Sequence, residues 1–77
     1  MKVTVKYHGL ASEVGIKEEI IEFHGSKYAD LKAVLNTKYR ALTYTPALCL
    51  RDSVPMTPEA ELAEGDTVIV VRQIGGG

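Results

Sequence analysis

The stretch "TVIVVRQ", residues 67–73, decides how the rest of the chain is arranged. Four consecutive residues, Val68 to Val71, are apolar and β-branched. Strands that face water on one side alternate apolar with polar residues, so a run of this kind belongs in the middle of a sheet with both faces at least partly covered. The rest of the chain supports only one long helix, and one helix covers only one face. An alternating pair from this strand therefore faces outward as part of an apolar patch. Either Ile69 and Val71, or Val68 and Val70, form that pair.

Working outward from that strand, "AEGD" (63–66) is turn chemistry, and "TPEAEL" (57–62) suits a single helical or 3₁₀ turn, with Thr57 as cap and Pro58 just inside it. "ALCLR" (47–51) is a short strand with Leu48 and Leu50 on one face, and "DSVP" (52–55) turns away from it. "TYTP" (43–46) is a loop, because Pro46 disfavours a helical conformation at Thr45. Upstream, Tyr28, Leu31, Val34, Leu35 and Tyr39 recur at helical spacing, which predicts a helix over 27–39 with Ser26 as its N-cap. The chain opens with "KVTVKYH" (2–8), in which Val3, Val5 and Tyr7 alternate with Lys2, Thr4 and Lys6. "KEEIIEF" (17–23) alternates again, with Ile21 and Phe23 inward. These two strands pair antiparallel across the loop from Gly9 to Gly15, which has room for one helical turn. The order strand, strand, helix, strand, short turn, strand describes an α+β domain, a mixed sheet with one main helix packed across one face.

Length and composition agree with a single small domain. The chain has 77 residues, 45% of them hydrophobic and 25% charged, with a formal net charge of −1. That balance supplies no basic field for nucleic acid and no polybasic patch for a membrane surface. The apolar runs are too short to span a bilayer, and the N-terminal segment reads as a strand rather than a signal peptide. One cysteine, Cys49, and two separated histidines, His8 and His24, give neither an internal disulfide nor a zinc-ligand spacing. A reducing cytoplasmic location is expected, with Cys49 a small buried or half-buried hydrophobe.

The side chains offer no catalytic constellation and no metal site. Glu18, Glu19 and Glu22 cluster on an edge-like strand and read as a solvated face. "GLASEVG" (9–15) lacks the Lys-Ser/Thr ending of a phosphate loop, and His8 and His24 read as exposed. A binding module fits better than an enzyme. The distinctive group is at the terminus, where "IGGG" (74–77) follows the last strand. Gly75, Gly76 and Gly77 place no side chain around the Gly77 carboxylate and permit backbone angles closed to other residues. An extended chain from Arg72 to Gly77 reaches roughly 20 Å, enough to enter a narrow slot in another protein. A body of residues 1–72 with a flexible tail of 73–77 follows. The competing reading of the glycines is an inert frayed end.

The whole chain resembles the ubiquitin-like β-grasp sulfur carriers, the ThiS/MoaD family. The resemblance rests on "VTVKY" in the first strand, "YADLKAVL" on the helix, "LAEGDTVIVV" before the end and the terminal Gly-Gly. Its most specific element is the Leu-x-Glu-Gly-Asp-x-Val stretch, Leu62 to Val68, followed within ten residues by the glycines. "RDS" (51–53) stands where these carriers often place Asn-Gly. "RQIGGG" looks more like the thiamin-pathway carriers, whereas the helix reads like the molybdopterin type.

The resemblance implies that an E1-like adenylyltransferase activates the Gly77 carboxylate with ATP, and that sulfur from a donor then replaces AMP to give a thiocarboxylate. The ATP and magnesium belong to the partner, so this chain binds no cofactor. The downstream partner is a thiazole synthase or the large subunit of molybdopterin synthase, with tRNA thiolation a further outlet. With Val68 and Val70 taken as the core pair, Ile69 and Val71 form the centre of the docking contact with Arg72 at its rim, and Gly75, Gly76 and Gly77 enter the partner's active site. Three other readings stay open: a protein modifier joined to lysines through Gly77, a non-covalent β-grasp interaction domain, and an RNA-binding β-grasp domain. The lack of a basic surface, with nine basic residues set against ten acidic ones, weighs against the last.

Overall fold

The structure is a computed structural model and describes residues 1–73. Five strands and one helix follow in the order β1 (Lys2–His8), β2 (Glu18–Glu22), α1 (Tyr28–Lys38), β3 (Ala47–Arg51), β4 (Val54–Pro55) and β5 (Thr67–Arg72). They form one sheet in the spatial order β2-β1-β5-β3-β4, so the continuous apolar strand lies at its centre. β5 runs parallel to β1, with Val68 opposite Val5 and Val70 opposite Tyr7. It runs antiparallel to β3, with Cys49 opposite Val70. β1 and β2 form the expected antiparallel hairpin.

The face that α1 covers is the core. Val3, Val5 and Tyr7 of β1, Ile21 and Phe23 at β2, and Val68 and Val70 of β5 are all buried there, as the alternation predicts. Cys49 joins them at 3% exposure. Leu48 and Leu50 take the opposite parity and point away from the helix. α1 spans about 16 Å at the usual rise and sets Leu31 and Leu35, one turn apart, onto the sheet.

The start of α1 differs from the expectation for Ser26. Lys27 is the N-cap, and the capping carboxylate comes from inside the helix, where Asp30 Oδ2 accepts from the amides of Ser26 (3.2 Å) and Lys27 (3.1 Å). Gly25 makes room for this: its φ is +116°, and a Cβ there would fall on the Asp30 carboxyl group. The free amides of the first helical turn reach the 57–62 segment instead of a side chain. Tyr28 donates to the Ala60 carbonyl (2.9 Å) and Ala29 to the Pro58 carbonyl (3.1 Å). That segment is the single expected turn, closed by Ala60 N–H to Thr57 O at 3.0 Å with 3₁₀ spacing.

A further correction concerns the segment ahead of β3. Residues expected as plain loop around 43–46 overlap a 3₁₀ helix, Arg40–Tyr44, whose Leu42 is buried. The Gly9–Gly15 loop holds the one helical turn expected of it, with the amides of Glu13 and Val14 folded back onto the Leu10 carbonyl, and it also carries Leu10 into the core at 1% exposure. Short segments of this kind show no periodicity, so one anchoring leucine in each leaves no pattern to read.

The "LAEGD" stretch closes the sheet ahead of β5. Leu62 is buried, Gly65 takes a left-handed φ of +85°, and Asp66 Oδ2 accepts from the Ala63 amide (2.9 Å) and from Arg51 Nη1 (3.0 Å). The Asp66 carbonyl then accepts from Thr4 N–H at 2.8 Å, which starts the parallel ladder between β1 and β5. No helix among the described residues is long and apolar enough to cross a membrane.

Candidate functional site: the uncovered sheet face and the root of the terminus

Of the two alternating pairs in β5, Ile69 and Val71 lie on the uncovered face, the pair expected to dock, each partly exposed. Sheet register decides what surrounds them. Ile69 stands between Lys6 of β1 and Leu50 of β3, and Val71 stands between His8 and Leu48. Directly opposed residues share a face, so Leu48, Leu50, Ile69 and Val71 make one apolar patch, with Leu48 40% exposed. Pro55 of β4, opposite Leu50, extends it to one side, and Lys6 and His8 border it on the other. The sequence shows the common parity of Leu48 and Leu50, but their membership of the patch depends on which strand β3 pairs with.

Arg72 does not sit at the rim of that patch. It shares parity with Val68 and Val70, which turns it to the other face of β5, beside the β1–β2 loop. Its Nε donates to the Gly9 carbonyl at 2.8 Å, and its Nη2 is ion-paired with Glu13. The guanidinium beside Glu13 holds that carboxyl below the usual glutamate range. The two segments meet closely here: Gly9 has φ +72°, and a Cβ on it would lie 3.4 Å from the Arg72 Cβ. Arg72, Glu13 and Leu10 line one side of an open groove of about 790 Å³ at this end of the sheet. Gln73, placed in the tail on sequence grounds, donates its amide to the Pro46 carbonyl at 3.0 Å. Gly75, Gly76 and Gly77, the expected reacting end, lie outside the described residues, as does Ile74.

No protein-family model matches this sequence, and no curated protein matches it. Solved structures do match in shape across the whole chain. A putative molybdopterin converting factor subunit 1 from Pyrococcus furiosus superposes with a TM-score of 0.85 at 22% identity, covering 96% of this chain and 99% of the other. The small archaeal modifier protein 1 from Methanosarcina acetivorans gives 0.80 at 21% identity, over 99% and 96%. The complex of subunits 1 and 2 of the molybdopterin-converting factor from Helicobacter pylori gives 0.72 at 18%, over 100% of both chains. The fold is the ubiquitin-like β-grasp.

In this β-grasp domain the carboxylates of β2 divide by face. Glu18 and Glu22 are exposed, as expected, but Glu19 is not part of a solvated surface. Its side chain is 13% exposed and takes hydrogen bonds from Tyr7 Oη (2.7 Å), Tyr39 Oη (2.5 Å) and Lys38 Nζ (2.5 Å). Burial pushes the Glu19 carboxyl up, and the three donors together outweigh it, so the group titrates below the usual range. The signal for this was parity: Glu19 shares a face with Ile21 and Phe23. Cys49 is a free buried thiol whose Sγ lies 4.0 Å from Met56 Sδ. Burial pushes it up to about 11, with the neighbouring Tyr28 acting the other way. His8 and His24 are exposed. Among the described residues no group of three His, Cys, Asp or Glu side chains is placed to hold a metal ion.

Proposed function

We propose that this β-grasp domain is a carrier whose terminal Gly77 carboxylate is activated by an E1-like adenylyltransferase and converted to a thiocarboxylate. The supporting observation is that β5 does two things at once. Its Ile69 and Val71 head an apolar face that the single helix leaves uncovered, and the same strand leads within six residues of Val71 to Gly77. A partner that grips that face has the terminus within reach.

The chemistry needed at Gly77 lies with the partner. The carboxylate oxygen attacks the α-phosphorus of ATP, forming an acyl-adenylate and releasing pyrophosphate. Sulfide, or a persulfide with reduction by a thiol, then attacks the acyl carbon and AMP leaves. A carboxylate is a poor acyl donor, and the adenylate supplies the leaving group. ATP and magnesium belong to the activating enzyme, so this chain acts as substrate and carrier rather than catalyst. Ile69 and Val71 are the centre of the docking contact, and Gly75, Gly76 and Gly77 enter the partner's slot. The downstream recipient is a synthase subunit, as the Helicobacter pylori neighbour's two-subunit complex suggests by analogy; a thiazole synthase is the alternative recipient.

The likeness to small archaeal modifier protein 1 favours a second reading, a modifier joined to lysines through the same activated carboxyl group. Intact mass spectrometry after incubation with an E1-like enzyme, ATP and sulfide separates the two. A mass gain of one oxygen-to-sulfur exchange at the terminus supports the carrier, and adducts of the chain on other proteins support the modifier. A chain extended beyond Gly77 by a residue that is not clipped should be inert. If it is activated as well as the unextended chain, both readings fail.

A further inference from the structure

We propose that Glu13 is a positioning residue: its clasp on Arg72 sets the direction in which the chain leaves the sheet toward Gly77. This rests on the reading of the Gly77 carboxylate as the reacting group.

The clasp is built from the loop upward. Leu10, 1% exposed, anchors the β1–β2 loop in the core. The amides of Glu13 (3.1 Å) and Val14 (2.9 Å) donate to the Leu10 carbonyl, and that turn presents the Glu13 side chain to the end of β5. Its side chain is 14% exposed, and one carboxylate oxygen is paired with Arg72. The other oxygen, Oε1, is shielded from solvent with no hydrogen-bond partner among the described residues. A carboxylate desolvated in this way stays in place only while a cation faces it. Arg72 is that cation, and its Nε is bound in turn to the Gly9 carbonyl.

The tethers at the root pull to opposite sides. β5 lies between β1 and β3. Arg72 is tied by its side chain to the loop that follows β1, and Gln73 is tied by its amide to Pro46, just ahead of β3. A strand end held on both flanks has little freedom to swing, and four residues follow Gln73 in the chain. The concentration of Gly77 at a partner's site depends on where that short segment starts and which way it points. The clasp also lies on the face of β5 opposite to Ile69 and Val71, away from the docking patch. Opening it should therefore leave affinity for the partner in place and lower the rate at which the docked terminus reacts. An ordinary surface ion pair would contribute only to stability.

The test uses the full-length chain as substrate of an E1-like adenylating enzyme, with pyrophosphate release giving kcat and KM for the chain. Glu13→Gln, nearly isosteric, is compared with the wild type and with the charge-swapped pair E13R/R72E. The expected result for Glu13→Gln is a fall in kcat of about tenfold, with KM changed by less than about twofold and part of kcat restored in the swapped pair. In parallel, the Gln73 amide should gain fast motion in ¹⁵N relaxation of Glu13→Gln. An unchanged kcat, or an effect confined to KM, overturns the proposal while leaving the carrier reading intact. A wild-type chain that no activating enzyme accepts overturns the carrier reading and the role of Glu13 with it. The Gln73 relaxation then still shows whether the clasp restrains the root.

Discussion

Tyr7 and Tyr39 meet edge to face, ring centres 5.8 Å apart and planes at 77°, and both hydroxyls donate to the same oxygen of Glu19. Tyr7 comes from the inner strand β1, Tyr39 closes α1, and Glu19 stands on the edge strand β2. Three elements are therefore joined at one carboxylate, with Lys38 completing the set from its Nζ, 5.5 Å from the Tyr39 ring centre. Removing Glu19 would leave the Tyr7 hydroxyl half-buried without its acceptor. Glu19→Ala should lower stability by about 1.5–3 kcal/mol, the range for hydrogen bonds to a charged group. Glu22→Ala, on the same strand but exposed, should stay within about 0.5 kcal/mol. Urea unfolding of the two variants makes the comparison, and equal effects would remove the special place given to Glu19.

Acid should weaken the fold through the same group. The folded-state value of Glu19 lies below that of the unfolded chain, as does that of Glu13 beside Arg72. A depressed carboxylate contributes stability that is fully present above the ordinary glutamate value of about 4.3 and is lost as pH falls through the folded value. Stability should therefore hold from neutral pH down to that point and decline below it. Glu19→Gln, less stable at pH 7, should show a shallower decline in acid, because it has one fewer proton to take up on unfolding. A variant profile parallel to wild type in that window would contradict the assignment.

Cys49 should be inert in the native protein. It is 3% exposed, and burial raises its thiol to about 11, leaving little thiolate at pH 8. Tyr28 beside it is pushed up to about 12, by burial first and by the neighbouring cysteine second. Reaction with an aromatic disulfide reagent should be slow in buffer and complete within the mixing time in denaturant. Rapid native labelling would mean that β3 opens readily from the sheet.

The docking patch is tested by polar substitution on the open face. Ile69→Ser should raise KM for the activating enzyme about tenfold, the loss of one good apolar anchor, with kcat at saturation held within about twofold. Glu13→Gln is expected to do the reverse, so the two variants separate gripping the body from delivering the terminus. An Ile69→Ser chain with unchanged KM would move the contact elsewhere.

How far the residues alone reach is clearest at β5 and at Glu19. The four-residue apolar run of β5 requires that one alternating pair face outward, since one helix cannot cover two faces, and the fold makes that pair Ile69 and Val71. Leu48 and Leu50 share the patch only because β3 pairs with β5, a long-range fact that no local pattern contains. Glu19 looked like a solvated charge because carboxylates on edge strands usually are. Its partners Tyr7, Lys38 and Tyr39 lie 12 to 20 residues away in sequence. Arg72 has the parity of the core, and alternation alone would have turned it from the outer face; its partner Glu13 depends on how Leu10 folds the loop inward. In each case local alternation is legible and the identity of the distant neighbour is not.

The β3–β4 turn offers the sharpest test of backbone fit. Arg51 pairs with Val54, so Asp52 and Ser53 form a two-residue hairpin loop, and both hold left-handed φ angles of +54° and +66°. That turn favours Asn-Gly, because residues with a larger local steric cost resist positive φ. Among the described residues these are the only non-glycine positions with positive φ. Replacing both, D52N/S53G, should stabilise the domain by about 1 kcal/mol, after allowing for the extra freedom a glycine adds to the unfolded chain, and raise Tm by about 4–8 °C. Ser12→Gly, at a position without positive φ, should give no gain and a small loss. If the turn variant melts no higher than wild type while Ser12→Gly behaves as stated, the strain assigned to residues 52 and 53 is absent.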